Sequence, residues 1–192
     1  MITYSTTLTT KYWDFVVSYH TIDNWECISL VCWDIQTWIP FVRIHSSCLF
    51  WESFASLHCD CHSQLDGAMN MIQKEGKGVI IYSYQEWRWI WLEKKIEAME
   101  IQKKYDCDTV EAFQKLGLES PDLRTYNTEI RALEELWISK HLILISGNPL
   151  KIKALTDSNF SVDAIRHVSP DDLHSLAQQE ITTKKDKMGY HY

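Results

Sequence analysis

Apolar and polar positions along the chain follow two rhythms. Residues 12–19 (YWDFVVSY), 27–33 (CISLVCW) and 39–44 (IPFVRI) are short β-branched and aromatic runs set apart by polar turn material, HTIDN and DIQT, and read as strands. VIIYSY (79–84) and HLILIS (141–146) read as short buried strands. Elsewhere the spacing is helical. Leu65, Ala68, Met69 and Ile72 fall on one face of 64–75, which Gly76 and Gly78 end. Ile96, Met99 and Ile101 sit among charges in 93–104, a short helix opens at Asp108 and stops at Gly117, and another runs from Asn127 to about Leu136. SGNPLK then places a turn and a helix start directly after the last strand. Strand, helix, strand with short links predicts an α/β fold, a mixed β-sheet with helices packed on it in a single domain. Ligands of such sheets favour the carboxyl ends of strands, and the polar stretches 85–88, 119–126 and 146–151 lie beside such ends or link the elements around them. Residues 1–168 form the body of the domain, and 169–192 are expected to be a polar, partly ordered tail of it.

At 192 residues the chain fits one domain with a real core. A net charge of −7 argues against a nucleic-acid partner, which needs a basic face, while leaving room for a small anion in a local basic pocket. The start, MITYSTTLTTKYWDF, lacks a basic and apolar leader, and no run approaches the roughly 18 apolar residues of a membrane span. The expectation is a cytoplasmic chain with no membrane partner. Of six cysteines, Cys27, Cys32 and Cys107 are scattered, whereas Cys48, Cys59 and Cys61 crowd together, which favours reduced thiols and a metal over a disulfide framework.

The stretch from Arg43 to Gln64 adds His45, His58 and His62 to that cysteine trio. Cys48-x10-Cys59-x-Cys61 offers three thiolates from two short segments, suited to tetrahedral zinc with the fourth position left to water. One of the three histidines could instead close the site as a structural one. Spacing favours the open form, whose metal would make a hydroxide source and hence a hydrolase.

Arg43-Ile44-His45-Ser46-Ser47-Cys48-Leu49, followed by Ser56-Leu57-His58-Cys59-Asp60-Cys61-His62-Ser63-Gln64-Leu65, closely resembles the zinc motif of the GTP cyclohydrolase II family. The resemblance continues in order through Tyr84-Gln85-Glu86-x-Arg88-x-Ile90, Asp108-Thr109-Val110-Glu111-Ala112, Asp122-x-Arg124, Gly147-Asn148-Pro149-x-Lys151 and Thr183-Lys184-x-x-Lys187-Met188-Gly189. It implies a zinc- and magnesium-dependent hydrolase that converts GTP to 2,5-diamino-6-ribosylamino-4(3H)-pyrimidinone 5′-phosphate, formate and diphosphate for riboflavin synthesis. It further implies one Zn2+ per subunit on Cys48, Cys59 and Cys61, Mg2+ with the GTP phosphates, a homodimer, and 1–168 as the catalytic domain. A dihydroxybutanone phosphate synthase domain is often fused ahead of this one in the family. By the same resemblance Arg43, Ile44, His45, Ser46, Ser47, Gln64, Glu86, Trp87, Arg88, Thr109, Ser146 and Lys151 fall on GTP-binding positions. Asp122 matches a proton acceptor and Arg124 a residue acting at the α-phosphate. A guanidinium stays protonated, so Arg124 is better read as activating the phosphate than as a nucleophile. Taken singly, Asp122 and Arg124 would be a surface ion pair, Lys151 a solvated lysine and Thr109 a helix-start residue.

Two departures bear on substrate and efficiency: Ser47 stands where the family has glutamate, and Met99 where a tyrosine is common. They keep open a related nucleotide cyclohydrolase of another pathway. A third departure is compositional, with nine Trp and only six Gly in the chain. Trp87 and Trp91 occupy glycine positions of the family's Gln-Glu-Gly-Arg-x-Ile-Gly run, and Trp89 one that is often glycine. Trp13, Trp25, Trp33, Trp38, Trp51 and Trp137 fall at turn or helix-end sites that suit glycine. Reading all nine as glycine would raise that residue to about 8%, near the roughly 7% usual in proteins. A gene whose UGA codons specify glycine in its own lineage accounts for the pattern; genuine tryptophans would instead favour an inactive zinc-stabilised nucleotide-binding homologue.

Overall fold

The computed structural model describes residues 1–170 and 172–191. Seven strands form one sheet: β1 (Ile2–Thr9), β2 (Asp14–Ile22), β3 (Trp25–Cys32), β4 (Phe41–Ser46), β5 (Gly78–Ser83), β6 (His141–Ile145) and β7 (Ser161–Arg166). Their order is β1-β2-β3-β5-β4-β6-β7. β1, β2, β3 and β5 pair antiparallel, and β5, β4, β6 and β7 pair parallel. The expected mixed sheet is therefore present. Helices α1 (Leu49–Phe54) and α2 (Cys61–Glu75) connect β4 to β5. α3 (Trp91–Tyr105), α4 (Thr109–Lys115) and α5 (Asn127–Glu135) lead to β6, α6 (Pro149–Asp157) links β6 to β7, and α7 (Ser175–Met188) follows. No described helix is long and apolar enough to cross a membrane.

The period-two alternation of β4 sorts its side chains to opposite faces. Val42 and Ile44 join Ile130 and Leu133 of α5 and Leu155 of α6 in one buried cluster, while Phe41 joins Ala68 and Ile72 of α2 in another. Arg43 and His45 thus point to the α2 face, at the carboxyl end of a central parallel strand. Fully burying each large aliphatic chain contributes about 1.5–3 kcal/mol, so these two layers fix where β4 ends. α4 starts on a capping box between Asp108 and Glu111, and α6 on Asn148 with Pro149 behind it, as the turn signals require.

Three elements depart from the sequence reading. β1 is exposed along its whole length, and its Thr-rich alternation carries no buried face to announce it. β7 is a short, half-buried strand. The stretch read as a polar tail contains α7, a helix of 14 residues with only Ala177 and Thr183 buried. Its hold on the body is ionic: Glu180 pairs with Arg88, and Lys187 with Asp108 and Glu111.

The backbone also distinguishes among the tryptophans. Trp33, Trp87, Trp89, Trp91 and Trp137 have φ of 61°, 39°, 68°, 63° and 55°, left-handed conformations that glycine adopts freely and L-residues only at a cost. Trp87, Arg88 and Trp89 are consecutive, inside the short 3₁₀ turn Glu86–Trp89. Trp25 differs from expectation: the two-residue hairpin turn is Asp23-Asn24, with φ of 50° and 66°, and Trp25 is already a strand residue opposite Ile22.

Candidate active site

Where β4 ends the chain turns into α1, and Cys48 occupies the position before the helix. Its backbone N–H donates to Glu52 Oε1 at 3.1 Å, and the next N–H, of Leu49, donates to Glu86 Oε2 at 2.9 Å. Cys59 follows in the loop after α1, and Cys61 is the first residue of α2. The three Sγ atoms lie within 4.8 Å of one another, and Cys48 and Cys59 sulfurs are 3.6 Å apart. Zn–S bonds of about 2.3 Å in a tetrahedron put sulfurs about 3.8 Å apart, close to the Cys48–Cys59 spacing, so the chemistry and placement of this donor set fit zinc. Hydrogen bonds with Cys59 and Cys61 hold the Cys48 thiol well below the ordinary thiol range, while the bonds with Cys48 and Cys61 push the Cys59 thiol upward.

None of the three histidines joins the sulfurs. His45 Nε2 is 2.8 Å from Glu52 Oε1 and its Nδ1 3.3 Å from Arg43, with the ring stacked on Tyr82. His58 Nδ1 meets Ser56 Oγ at 3.2 Å, and His62 lies edge-on to Trp51. The closed four-ligand site left open by the spacing is thus not formed among the described residues, and the fourth side of the cluster opens on a cleft of about 1200 Å³.

That cleft brings together Arg43, His45, Ser46, Ser47, Gln64, Trp87, Arg88, Thr109, Arg124, Ser146 and Lys151, beside the three cysteines. Three further candidates stand behind its wall. Ile44 is fully buried and offers only its carbonyl, which accepts from Lys151 Nζ at 2.7 Å. Glu86 is 5% exposed with both oxygens engaged, one by Leu49 N–H and the other by Lys95 Nζ at 2.6 Å. Asp122 backs Arg124 in a two-pronged pair, Nε to Oδ1 at 2.8 Å and Nη2 to Oδ2 at 2.5 Å. Arg124 also reaches Ser46 Oγ and the Tyr190 hydroxyl.

In an acidic chain this cleft is locally cationic. Burial, then the neighbouring Arg43 and Arg124, hold Lys151 well below the usual lysine range, which an entering anion would reverse. Burial raises the Asp122 carboxyl, but Arg124 outweighs it and leaves the group below its ordinary value. Thr109 Oγ1, on a residue only 1% exposed, has no hydrogen-bond partner among the described residues. Arg43 donates to Ile145 O at 2.9 Å and to Gln64 Oε1 at 2.6 Å, which presents the Gln64 amide at the edge of the cleft. Arg88 lies over the Phe113 ring and donates to Glu180 at 2.5 Å.

Sequence reasoning missed Lys95, Glu180 and Tyr190. Lys95 carried one signal: on α3 it lies three residues before Ala98, on the helix's buried face. Glu180 and Tyr190 carried none, because their partners are 92 and 66 residues away. Gly147 is required for a related reason: a Cβ there would lie 1.5 Å from the carbonyl oxygen of His191, which crosses it.

A cluster of three cysteines at the carboxyl ends of parallel strands, facing a cationic cleft, defines a class of α/β proteins with a candidate metal site suited to an anionic ligand. The sequence model of GTP cyclohydrolase II matches residues 2–167, and the chain belongs to that family. It is 45% identical over 150 residues to the riboflavin biosynthesis protein RibBA of Cytophaga hutchinsonii, covering 78% of this chain and 36% of that one. The RibBA protein of Bacillus cereus is 39% identical over 176 residues, 89% of this chain and 42% of that one. That of Aquifex aeolicus is 42% identical over 154 residues, 78% and 36% of the two chains. The chain thus spans less than half the length of these curated relatives.

Proposed function

We propose that this chain hydrolyses GTP to 2,5-diamino-6-ribosylamino-4(3H)-pyrimidinone 5′-phosphate, formate and diphosphate, the reaction its family is named for, in the cytoplasm and as a homodimer. The observation that carries this reading is the convergence of three sulfurs on a cleft whose walls bear Arg43, Arg88, Arg124 and Lys151. Cys48, Cys59 and Cys61 would hold Zn2+, which when bound supplies a Lewis acid and an activated water at neutral pH.

The other groups bind and orient. Arg88 and Lys151 meet the triphosphate with its Mg2+, and the Ser46–Ser47 backbone, with Arg43 behind it, closes that side. Arg's fixed fork suits phosphate oxygens, and a phosphate restores to Lys151 the charge its burial opposes. Thr109 Oγ1 gains a partner when a ligand fills the cleft. Gln64 offers an amide edge to the base. Arg124, aligned by Asp122, polarises the α-phosphate; Asp122, held ionised by that pair, takes up a proton only as Arg124 turns to the substrate. Glu86 acts from behind, fixing the backbone after Cys48. Met99, on the cleft wall where family members carry tyrosine, favours as a second reading a related cyclohydrolase acting on another nucleotide.

The test is formate and diphosphate release from GTP by the zinc-loaded chain, both as it stands and with glycine at the nine tryptophan positions. Stoichiometric formate and diphosphate are expected. A folded, zinc-loaded chain that releases no formate in either form overturns the proposal, and formate from a different nucleotide alone selects the second reading.

A further inference from the structure

Lys95 is a buried cation with no part in the reading above. It is 4% exposed, and its Nζ lies 2.6 Å from Glu86 Oε1, 3.4 Å from Cys48 Sγ and 4.5 Å from the centre of the Phe50 ring. Burying an ammonium is costly, so this arrangement persists only because what surrounds it offsets the loss of water. Cys48 and Glu86 both contribute to that, and the second Glu86 oxygen takes the Leu49 N–H. The Lys95–Glu86 pair therefore brackets Cys48 from two sides: the carboxylate grips the peptide that follows it, and the ammonium presses on its sulfur.

We infer that Lys95 is a positioning residue of the metal centre, donating an N–H···S hydrogen bond to the Cys48 ligand and turning the positive end of the Lys95–Glu86 pair toward the site. The inference rests on the zinc reading above. Three thiolates on Zn2+ leave a net negative charge in a low-dielectric setting, where a nearby cation counts for more than in water. A donor to a ligating sulfur draws electron density from it. That makes the metal a stronger Lewis acid and the thiolate harder to oxidise or alkylate, the usual effect of hydrogen bonds made to metal ligands.

The experiment compares the full chain with Lys95→Met/Glu86→Gln, which removes both charges together while keeping side-chain length and an acceptor for Leu49 N–H. It is done in whichever form, tryptophan or glycine at the nine positions, takes up zinc. Zinc affinity is read by competition with a chromogenic chelator, and the sulfur by the thiolate-to-metal charge-transfer band of the cobalt(II)-substituted protein. The double variant is expected to bind zinc about 10–100-fold more weakly and to shift the band to lower energy. Glu86→Gln alone leaves the full ammonium charge to Cys48 and is expected to shift the band to higher energy; this variant decides the matter if the double variant does not fold. Unchanged affinity and band in the double variant, or no upward shift in Glu86→Gln, overturn the role of Lys95. A parent chain that takes up no metal in either form overturns the zinc reading itself.

Discussion

Replacing the left-handed tryptophans with glycine is the most direct test of how this backbone is specified. Trp33, Trp87, Trp89, Trp91 and Trp137 hold φ between 39° and 68°. A left-handed L-residue costs about 1–2 kcal/mol, so the five together store roughly 5–10 kcal/mol. Little packing is lost on truncation, because Trp33, Trp91 and Trp137 are 73%, 52% and 79% exposed. Trp87 does pack on Phe113, with ring centres 5.1 Å apart, and Trp89 on Trp25 at 4.9 Å. Each such pair contributes about 0.5–1.5 kcal/mol. Glycine's greater freedom in the unfolded chain costs about 0.5–1 kcal/mol per site. The fivefold glycine variant is therefore expected to gain about 2 kcal/mol, a sizeable part of the roughly 5–15 kcal/mol that holds a domain together. At about 2–4 °C per kcal/mol for a chain of this size, Tm should rise by about 6 °C, read by circular dichroism. Glycine at Trp13, Trp25 and Trp38, exposed sites outside the positive-φ set, serves as the control and should stabilise nothing. An unchanged or lower Tm in the fivefold variant refutes the strain argument, and UGG codons at the nine positions refute the decoding argument independently.

Three other outcomes are expected. Because the folded pKa of Asp122 lies below its ordinary 3.8, its pair with Arg124 stabilises the protein fully above that value and ceases to as pH falls through the folded pKa. Asp122→Asn should therefore flatten the loss of urea resistance below pH 3.8, and an unchanged acid limb would show that other carboxyls set it. Glu180→Gln removes the carboxylate that occupies Arg88, a charged hydrogen bond of about 1.5–3 kcal/mol, and should lower KM for GTP by roughly three- to tenfold. A raised KM would mean that Glu180 is needed to hold the cleft wall. Cys59→Ser should lose bound zinc, measured by elemental analysis of the purified protein, while keeping the sheet's circular dichroism; full zinc occupancy would remove Cys59 from the ligand set.

How much of this was legible follows from where each signal lies. VIIYSY and HLILIS announced β5 and β6 because central strands are apolar on both faces, and the cysteine trio announced a sulfur cluster because its members are close in sequence. β1 was silent because an edge strand exposed on both faces needs no hydrophobic alternation. α7 looked like a tail because ion pairs to residues far along the chain, rather than an apolar stripe, hold it. Lys95 could not be placed beside the cysteine cluster from sequence, since 47 residues separate it from Cys48. The tryptophan pattern was visible as composition, but only φ separates positions that demand glycine from those that merely tolerate it.

The placement of the sulfurs has one more consequence. Two of them stand at helix starts, Cys48 before α1 and Cys61 opening α2, and between them residues 53–55 and 57–58 are exposed, with Ala55 left-handed. Zinc on all three sulfurs would close this stretch into a loop, and without it little else ties the exposed residues down. Metal supply would then govern how long the molecule survives as well as what it catalyses, since a chain starved of zinc presents an open segment to the cell's proteases just beside its most reactive thiols.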